Sequence, residues 1–252
     1  MYTHTHTMYQ AVVYDFEATP GPRENESRIH TISLVPVTIG TTVTRQKGVL
    51  ICIKDVIKRE EVNLKSDVKT KIARAVIDVA NYDMNIKYMN FYDAVKYMNT
   101  FIVNHGSILI GHNLIGDLGF LASTQTFVGG KRIIKNKIKE YPDTGMYDPN
   151  WSKINRVCSM SLLANRCNTM NQAFRKFVVE NNLPLTAGGY IPLRLNTYTQ
   201  FANNDPEYRQ SHSAVQDTMD LIDVLKCAVK HEKRGILDGH DYMTKPEWVR
   251  AA

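Results

Sequence analysis

Cysteine is scarce in this chain of 252 residues, with only Cys52, Cys158, Cys167 and Cys227. Four scattered cysteines exclude a disulfide framework and point to a reducing compartment. Cys227 and His231 have a spacing that a zinc site could use, but no second Cys/His pair stands near them in sequence,. Long apolar runs are missing too, and none approaches the ~20 residues that a membrane-spanning helix needs. Met1 to His6 lacks the basic and apolar regions of a signal peptide,. The expectation is a soluble intracellular protein, cytoplasmic or nuclear. Repeats, low-complexity tracts and linkers are also absent, so a single domain is expected over 1–252, with a core of about 8–232 and a peripheral tail at 233–252. What remains is an ordinary globular composition, 43% hydrophobic and 22% charged,. A net charge of +6 and a pI near 9.0 fit a polyanionic partner without establishing one,.

The first chemically informative stretch is Val12-Val13-Tyr14-Asp15-Phe16-Glu17-Ala18-Thr19, an apolar strand that carries two carboxylates. Side chains alternate along a strand, so Asp15 and Glu17 share a face, about 7 Å apart. Two like charges beside a buried run are costly unless something neutralises them, and a divalent cation is one candidate. Taken alone, an Asp-x-Glu here reads as a solvated strand end.

Ile29 to Ile39 and Thr42 to Lys54 read as β-rich segments with a turn at Gly40-Thr41, giving an antiparallel start to a sheet. Ser66 to Asn81 has Val68, Ile72, Ala75, Val76 and Val79 at helical spacing. Phe91 to Asn104 is a clearer helix, with Phe91, Ala94, Val95, Met98, Phe101 and Ile102 in one stripe and Gly106 at its stop. Ser107 to Gly111 reads as a short buried strand, and Asn113 to Ala122 as a helix with Leu114, Leu118 and Leu121 inward. This helix, strand, helix order argues for an α/β sheet. Asn155 to Leu163 reads as a further strand and Met170 to Glu180 as a helix. Pro184 to Gln210 shows little periodicity and reads as a long excursion. Lys131, Arg132, Lys135, Lys137 and Lys139 form a basic run with no acidic residue among them, either a solvated face or a phosphate-contacting surface,.

The last strong element runs from about Ser213 to Lys233. Its apolar arc holds Ala214, Val215, Leu221, Ile222, Val224, Leu225, Ala228 and Val229, with Met219 at one edge. Asp217 falls inside that arc, whereas Asp220 and Asp223 fall on the polar side. A carboxylate on the core side of a clean amphipathic helix is either ion-paired or functional. Asp15, Glu17, Asp117 and Asp217 would suit two-metal phosphodiester hydrolysis, which needs several carboxylates around ions roughly 3.5–4 Å apart. His212 would suit the role of general base near neutral pH. Hard oxygen donors without thiolate favour Mg²⁺ or Mn²⁺ over zinc.

These stretches resemble a known family. Asp15-Phe16-Glu17-Ala18-Thr19 is similar to the first motif of the DnaQ-like DEDD 3′–5′ exonucleases. Gly111-His112-Asn113-Leu114-Ile115-Gly116-Asp117-Leu118-Gly119-Phe120-Leu121 resembles the second. His212-Ser213-Ala214-Val215-Gln216-Asp217 resembles the third motif of the His subclass. The Tyr subclass would place tyrosine where Ser213 stands. Arg156 to Leu162 sits where the family has a strand ending in Asp-Thr, and Cys158-Ser159 departs from that pattern. The likeness spans roughly residues 8 to 232 and is concentrated in the three motifs.

The resemblance implies an α/β fold of the ribonuclease H-like type, a mixed central sheet flanked by helices. It implies a 3′–5′ exonuclease that uses two divalent cations, Mg²⁺ or Mn²⁺, on nucleic acid with a free 3′ end, DNA or RNA. Asp15, Glu17 and Asp217 would ligate the metals, with Asp117 helping to hold the second, and His212 would deprotonate the attacking water. Phe16, Ala18 and Thr19 would cradle the terminal nucleotide. His112 and Asn113 would line the site, and Lys131, Arg132 and Lys135 would contact the strand. Two rivals are an inactive nucleic-acid-binding module of the same fold, expected to have lost a carboxylate, and an interaction protein whose acids are core ion pairs.

Overall fold

Alternation along β1 (Tyr9–Thr19) decides how the molecule is layered. Val12, Tyr14 and Phe16 pack into one apolar cluster, and Ala11 and Val13 into another. By the same two-residue period, Asp15 and Glu17 project towards the Ala11/Val13 side. The structure, a computed structural model, describes residues 7–19, 27–60, 66–106, 108–129, 154–232 and 236–237. The basic run with Lys131, Arg132 and Lys135 lies outside the described residues, as does most of the expected tail.

The other strands are β2 (Arg28–Ile39), β3 (Val43–Arg45), β4 (Val49–Ile53), β5 (Asn85–Met89), β6 (Ile108–Gly111) and β7 (Asn155–Cys158). They form a seven-stranded sheet in the order β5-β4-β2-β1-β6-β7, with β3 also on β2. β2 runs antiparallel to β1, β3 and β4, while the β4–β5, β1–β6 and β6–β7 pairs are parallel. Only β2 therefore runs against the rest, and the sheet is mixed.

Helices cover both faces. One face carries α5 (Ser159–Arg166), α6 (Asn168–Glu180), α7 (Leu195–Ala202) and α8 (Ala214–Glu232), joined by Ala75 of α2 (Ser66–Asn81). The other carries α1 (Lys54–Glu60), α3 (Phe91–Asn104) and α4 (Leu114–Gly129). The apolar arc of α8 is buried as its periodicity predicts. Each large aliphatic side chain there contributes about 1.5–3 kcal/mol by leaving water. α3 ends as expected: Gly106 has φ 110, and a Cβ there would meet the Gln10 carbonyl oxygen at 2.2 Å,.

Several expectations change. The segment Thr42 to Lys54 is broken between β3 and β4, and its last residue opens α1. At the break, Gly48 lies so close to the Leu34 carbonyl that a Cβ would approach it to 2.7 Å. The strand from Asn155 stops at Cys158, because its partner β6 ends at Gly111 and offers no further ladder,. Ser159 instead begins α5. The excursion after Pro184 contains α7, which periodicity missed because its buried face includes Thr197, Thr199 and Gln200. Val76 of α2 faces outward, and β5 forms a sheet edge with Tyr88 exposed. Asp220 is buried, not polar-faced: Tyr208 covers it, donating its hydroxyl to Oδ2 at 2.6 Å. Ile236 and Leu237, expected in a peripheral tail, are buried in the α8-side core.

Candidate metal centre

Parallel β1, β6 and β7 deliver their C-terminal ends, at Thr19, Gly111 and Cys158, to one edge of the sheet. Open α/β sheets characteristically bind ligands beyond such carboxyl ends. Glu17 stands near the end of β1, where the register against β2 shifts between Glu17 and Ala18. Asp217 stands in the first turn of α8 and is buried. His212 precedes that helix with φ 53, a left-handed conformation that costs a non-glycine residue about 1–2 kcal/mol,. The surrounding segment is tied down. The backbone N–H of Gln210 donates to Asn196 Oδ1 at 2.8 Å, and the Ser213 hydroxyl donates to Asp78 Oδ2 at 2.6 Å. The Asp217 N–H donates to the Ser213 carbonyl at 2.8 Å.

Glu17, His212 and Asp217 each bring one potential ligand atom within 4.8 Å of the others. Asp15 adds charge beside them, and its acidity is weakened by burial, then by Asp217, Glu17 and Asp117. Burial pushes Glu17 up to about 7, against the pull of Lys71. Burial also lifts Asp217 to about 8, with Glu17 and Asp220 adding to the shift. Asp15 Oδ2 and Asp217 Oδ1 are buried without a hydrogen-bond partner. Buried acids of this kind ionise together only if cations compensate them. The oxygen-rich donor set and its orphaned oxygens therefore fit a hard divalent cation. His212 is exposed, and desolvation followed by the Lys71 charge lowers its proton affinity, which favours the neutral imidazole.

Asp117 is not one of the three converging ligand residues, although its charge acts on Asp15 and that of Glu17 acts on it. It accepts the Tyr14 hydroxyl at 2.8 Å, and Tyr14 belongs to the opposite face of the sheet. Gly111 makes that reach possible, since a Cβ there would lie 2.3 Å from the Tyr14 ring. Burial raises Asp117 to about 7, while the tyrosine hydrogen bond opposes the shift. Its helix is preceded by Asn113, whose φ of 63 suits asparagine and whose carbonyl accepts the Gly116 N–H at 2.8 Å,.

Other expected contacts lie differently. His112 Nε2 is 2.9 Å from the Leu193 carbonyl, which can only accept, so that nitrogen carries the proton,. Nδ1 then accepts from the Ser159 hydroxyl at 2.9 Å. Both ring nitrogens are spent inside the fold, and burial lowers the ring to about 4. His112 thus supports the β6–β7 end and has no free nitrogen for a nucleotide. Phe16 packs on Tyr14 in the core, centroids 4.8 Å apart, so its ring does not face the acids. Ala18 is half-buried, and Thr19 is buried with Oγ1 lacking a hydrogen-bond partner.

Three participants escaped the sequence: Tyr14, Asp220 and Lys71. Nothing in a tyrosine beside an aspartate, or in a lysine on a modest helix, signals a partner far along the chain. Among the described residues, no helix is long and apolar enough to cross a membrane. No protein-family model matches the chain, and no curated protein matches it significantly. The site has to speak for itself.

Proposed function

We propose that this chain is a metal-dependent 3′–5′ exonuclease of the DnaQ-like His subclass, built on a ribonuclease H-like fold. Its substrate is nucleic acid, DNA or RNA, with a free 3′ end, from which it releases nucleoside monophosphates. One observation carries this reading. Glu17, His212 and Asp217, from motifs at opposite ends of the chain, converge with buried oxygens that lack partners. The mixed sheet in which only β2 is reversed is compatible with that fold. All the motif carboxylates are present, which disfavours an inactive module.

Asp15, Glu17 and Asp217 would hold two divalent cations, Mg²⁺ or Mn²⁺, with Asp117 helping to hold the second. When bound, such ions supply an activated water and charge stabilisation at the departing 3′ oxygen. His212 takes the proton of the attacking water, a role its neutral, exposed imidazole suits,. The Ser213 and Gln210 hydrogen bonds anchor the chain on either side of it.

The position of His212 within ligand reach of Glu17 and Asp217 favours a second reading, in which imidazole is itself a ligand. Incubation of 5′-labelled DNA and RNA oligonucleotides with Mg²⁺ or Mn²⁺ tests the activity. Shortening in single-nucleotide steps that EDTA abolishes is expected, and absence of hydrolysis on every substrate overturns the proposal. His212→Ala separates the two roles. As a base, its loss slows hydrolysis about 10²–10⁴-fold while Mn²⁺ still raises the melting temperature. Loss of the Mn²⁺ effect in His212→Ala makes His212 a ligand.

A further inference from the structure

The acids of the β1 end already have one positive partner. Lys71 Nζ of α2 lies 3.2 Å from Glu17 Oε2, with the lysine side chain 29% exposed and the glutamate 10%. Lys71 favours the ionised form of Glu17 and Asp217 and the neutral form of His212. Its charge is therefore felt by all three members of the group.

This ion pair is aimed by a docked helix. Arg74 Nη1 donates to the Ser211 carbonyl at 3.5 Å, Asp78 accepts from Ser213, and the Tyr82 hydroxyl donates to Gln216 Oε1 at 2.8 Å. Positions 71, 74 and 78 recur at helical spacing and Tyr82 follows just beyond the helix end, so one face of α2 is fastened along the segment that carries His212,. With that face fixed, Lys71 is directed at Glu17 and not spread over a solvated surface.

A divalent cation bound by Glu17 would sit about 2.0–2.1 Å from a carboxylate oxygen. An ammonium at hydrogen-bond distance from the same carboxylate would then face a doubly charged neighbour, and the two repel. Lys71 has a flexible four-carbon stem that can swing its charge away.

We propose that Lys71 is a positioning residue that holds the place of one divalent cation. It supplies one positive charge to the Glu17–Asp217 pair in the cation-free protein and is displaced when the cation binds. The inference rests on the metal-centre reading above. Cation binding is thus an exchange against a built-in ammonium. The exchange lowers the affinity of the site below what its carboxylates alone would give.

Calorimetric titration with Mn²⁺, alongside thermal unfolding with EDTA and with Mn²⁺, tests the exchange in full-length wild type, Lys71→Met and Lys71→Arg. Lys71→Met is expected to melt lower in EDTA, to regain wild-type melting with saturating Mn²⁺, and to bind Mn²⁺ about 5- to 10-fold more tightly. Lys71→Arg keeps the charge and pairs in a fork, so it binds Mn²⁺ no more tightly than wild type. Unchanged or weaker Mn²⁺ binding by Lys71→Met overturns the exchange, as does tighter binding by Lys71→Arg, which is readable even if the methionine variant fails to fold. Failure of wild type itself to bind Mn²⁺ is a different result, since it removes the metal centre and the inference with it.

Discussion

On the α4 face of the sheet, Asp117 accepts the Tyr14 hydroxyl at 2.8 Å. On the α8 face, Asp15 and Asp217 each keep an oxygen buried with no partner. Within α8 the contrast repeats over one turn. Asp220 is as buried as Asp217, yet it receives the Tyr208 hydroxyl at 2.6 Å and the Gln216 amide at 2.8 Å. Burial therefore does not distinguish these acids; the source of their compensation does. Asp117 and Asp220 are served by neutral donors of the chain, whereas Asp15 Oδ2 and Asp217 Oδ1 have no donor, although Gln210 and the charge of Lys71 act on Asp217. An unserved buried carboxylate costs stability, and two such groups side by side mark a candidate site.

The sharpest way to break this contrast is to neutralise each α8 acid in turn. Asp217→Asn is expected to abolish the Mn²⁺-induced rise in melting temperature. It should also slow hydrolysis by more than the roughly 10–100-fold that loss of an outer-shell partner costs. Asp220→Asn keeps the Mn²⁺ response and loses about 1–3 kcal/mol of stability through its weakened hydrogen bonds. Thermal unfolding with EDTA and with Mn²⁺ reads both. Equal Mn²⁺ responses in the two variants would erase the distinction between them.

A smaller effect follows from pH. Glu17 at about 7 and Asp217 at about 8 hold protons in the folded state that the unfolded chain has already released. The folded protein thus binds more protons over that window, and stability falls as pH rises through these values. In EDTA the melting temperature should decline from about pH 5, where the unfolded carboxyls have ionised, to about pH 8 and then level off, and saturating Mn²⁺ should flatten the slope by competing with protons for the acids,. His212 acts in the opposite sense, since its lowered proton affinity penalises folding at acid pH. A melting temperature that climbs across the window in EDTA would show the acids are not held protonated.

The sequence made one half of this contrast visible and hid the other. Asp217 announced itself because it interrupts an apolar arc, and Asp15 and Glu17 because they share a strand parity. Both are local periodicities that a single element displays. The bounds of α3 were legible to the residue for the same reason, although its buried face also takes in Asn99, which no apolar stripe reveals. α7 was not, because Thr197, Thr199 and Gln200 are buried through contacts supplied by other segments. Asp220 was misassigned to solvent because its cover, Tyr208, comes from a loop outside the helix. His112 likewise owes its role to Leu193 and Ser159, which are remote in sequence. Satisfaction of a polar group is a tertiary fact, and periodicity carries no record of it.

Tyr14→Phe probes the served side with the smallest change. It removes one hydroxyl and leaves the ring that packs on Phe16. Loss of a hydrogen bond to a carboxylate is expected to cost about 1.5–3 kcal/mol when Asp117 is ionised, and less when it is protonated. The hydroxyl opposes the rise that burial imposes on Asp117, so its removal drives that carboxyl above about 7. The acid limb of the activity profile should then move to higher pH, while the Mn²⁺-induced stabilisation measured above that limb stays near wild type. A packing defect alone would lower stability without moving the limb. The limb therefore reports whether Tyr14 tunes the carboxyl or merely fills the space above Gly111. If stability and profile both match wild type, Asp117 is not served by Tyr14, and the two faces of the sheet hold their acids in the same way.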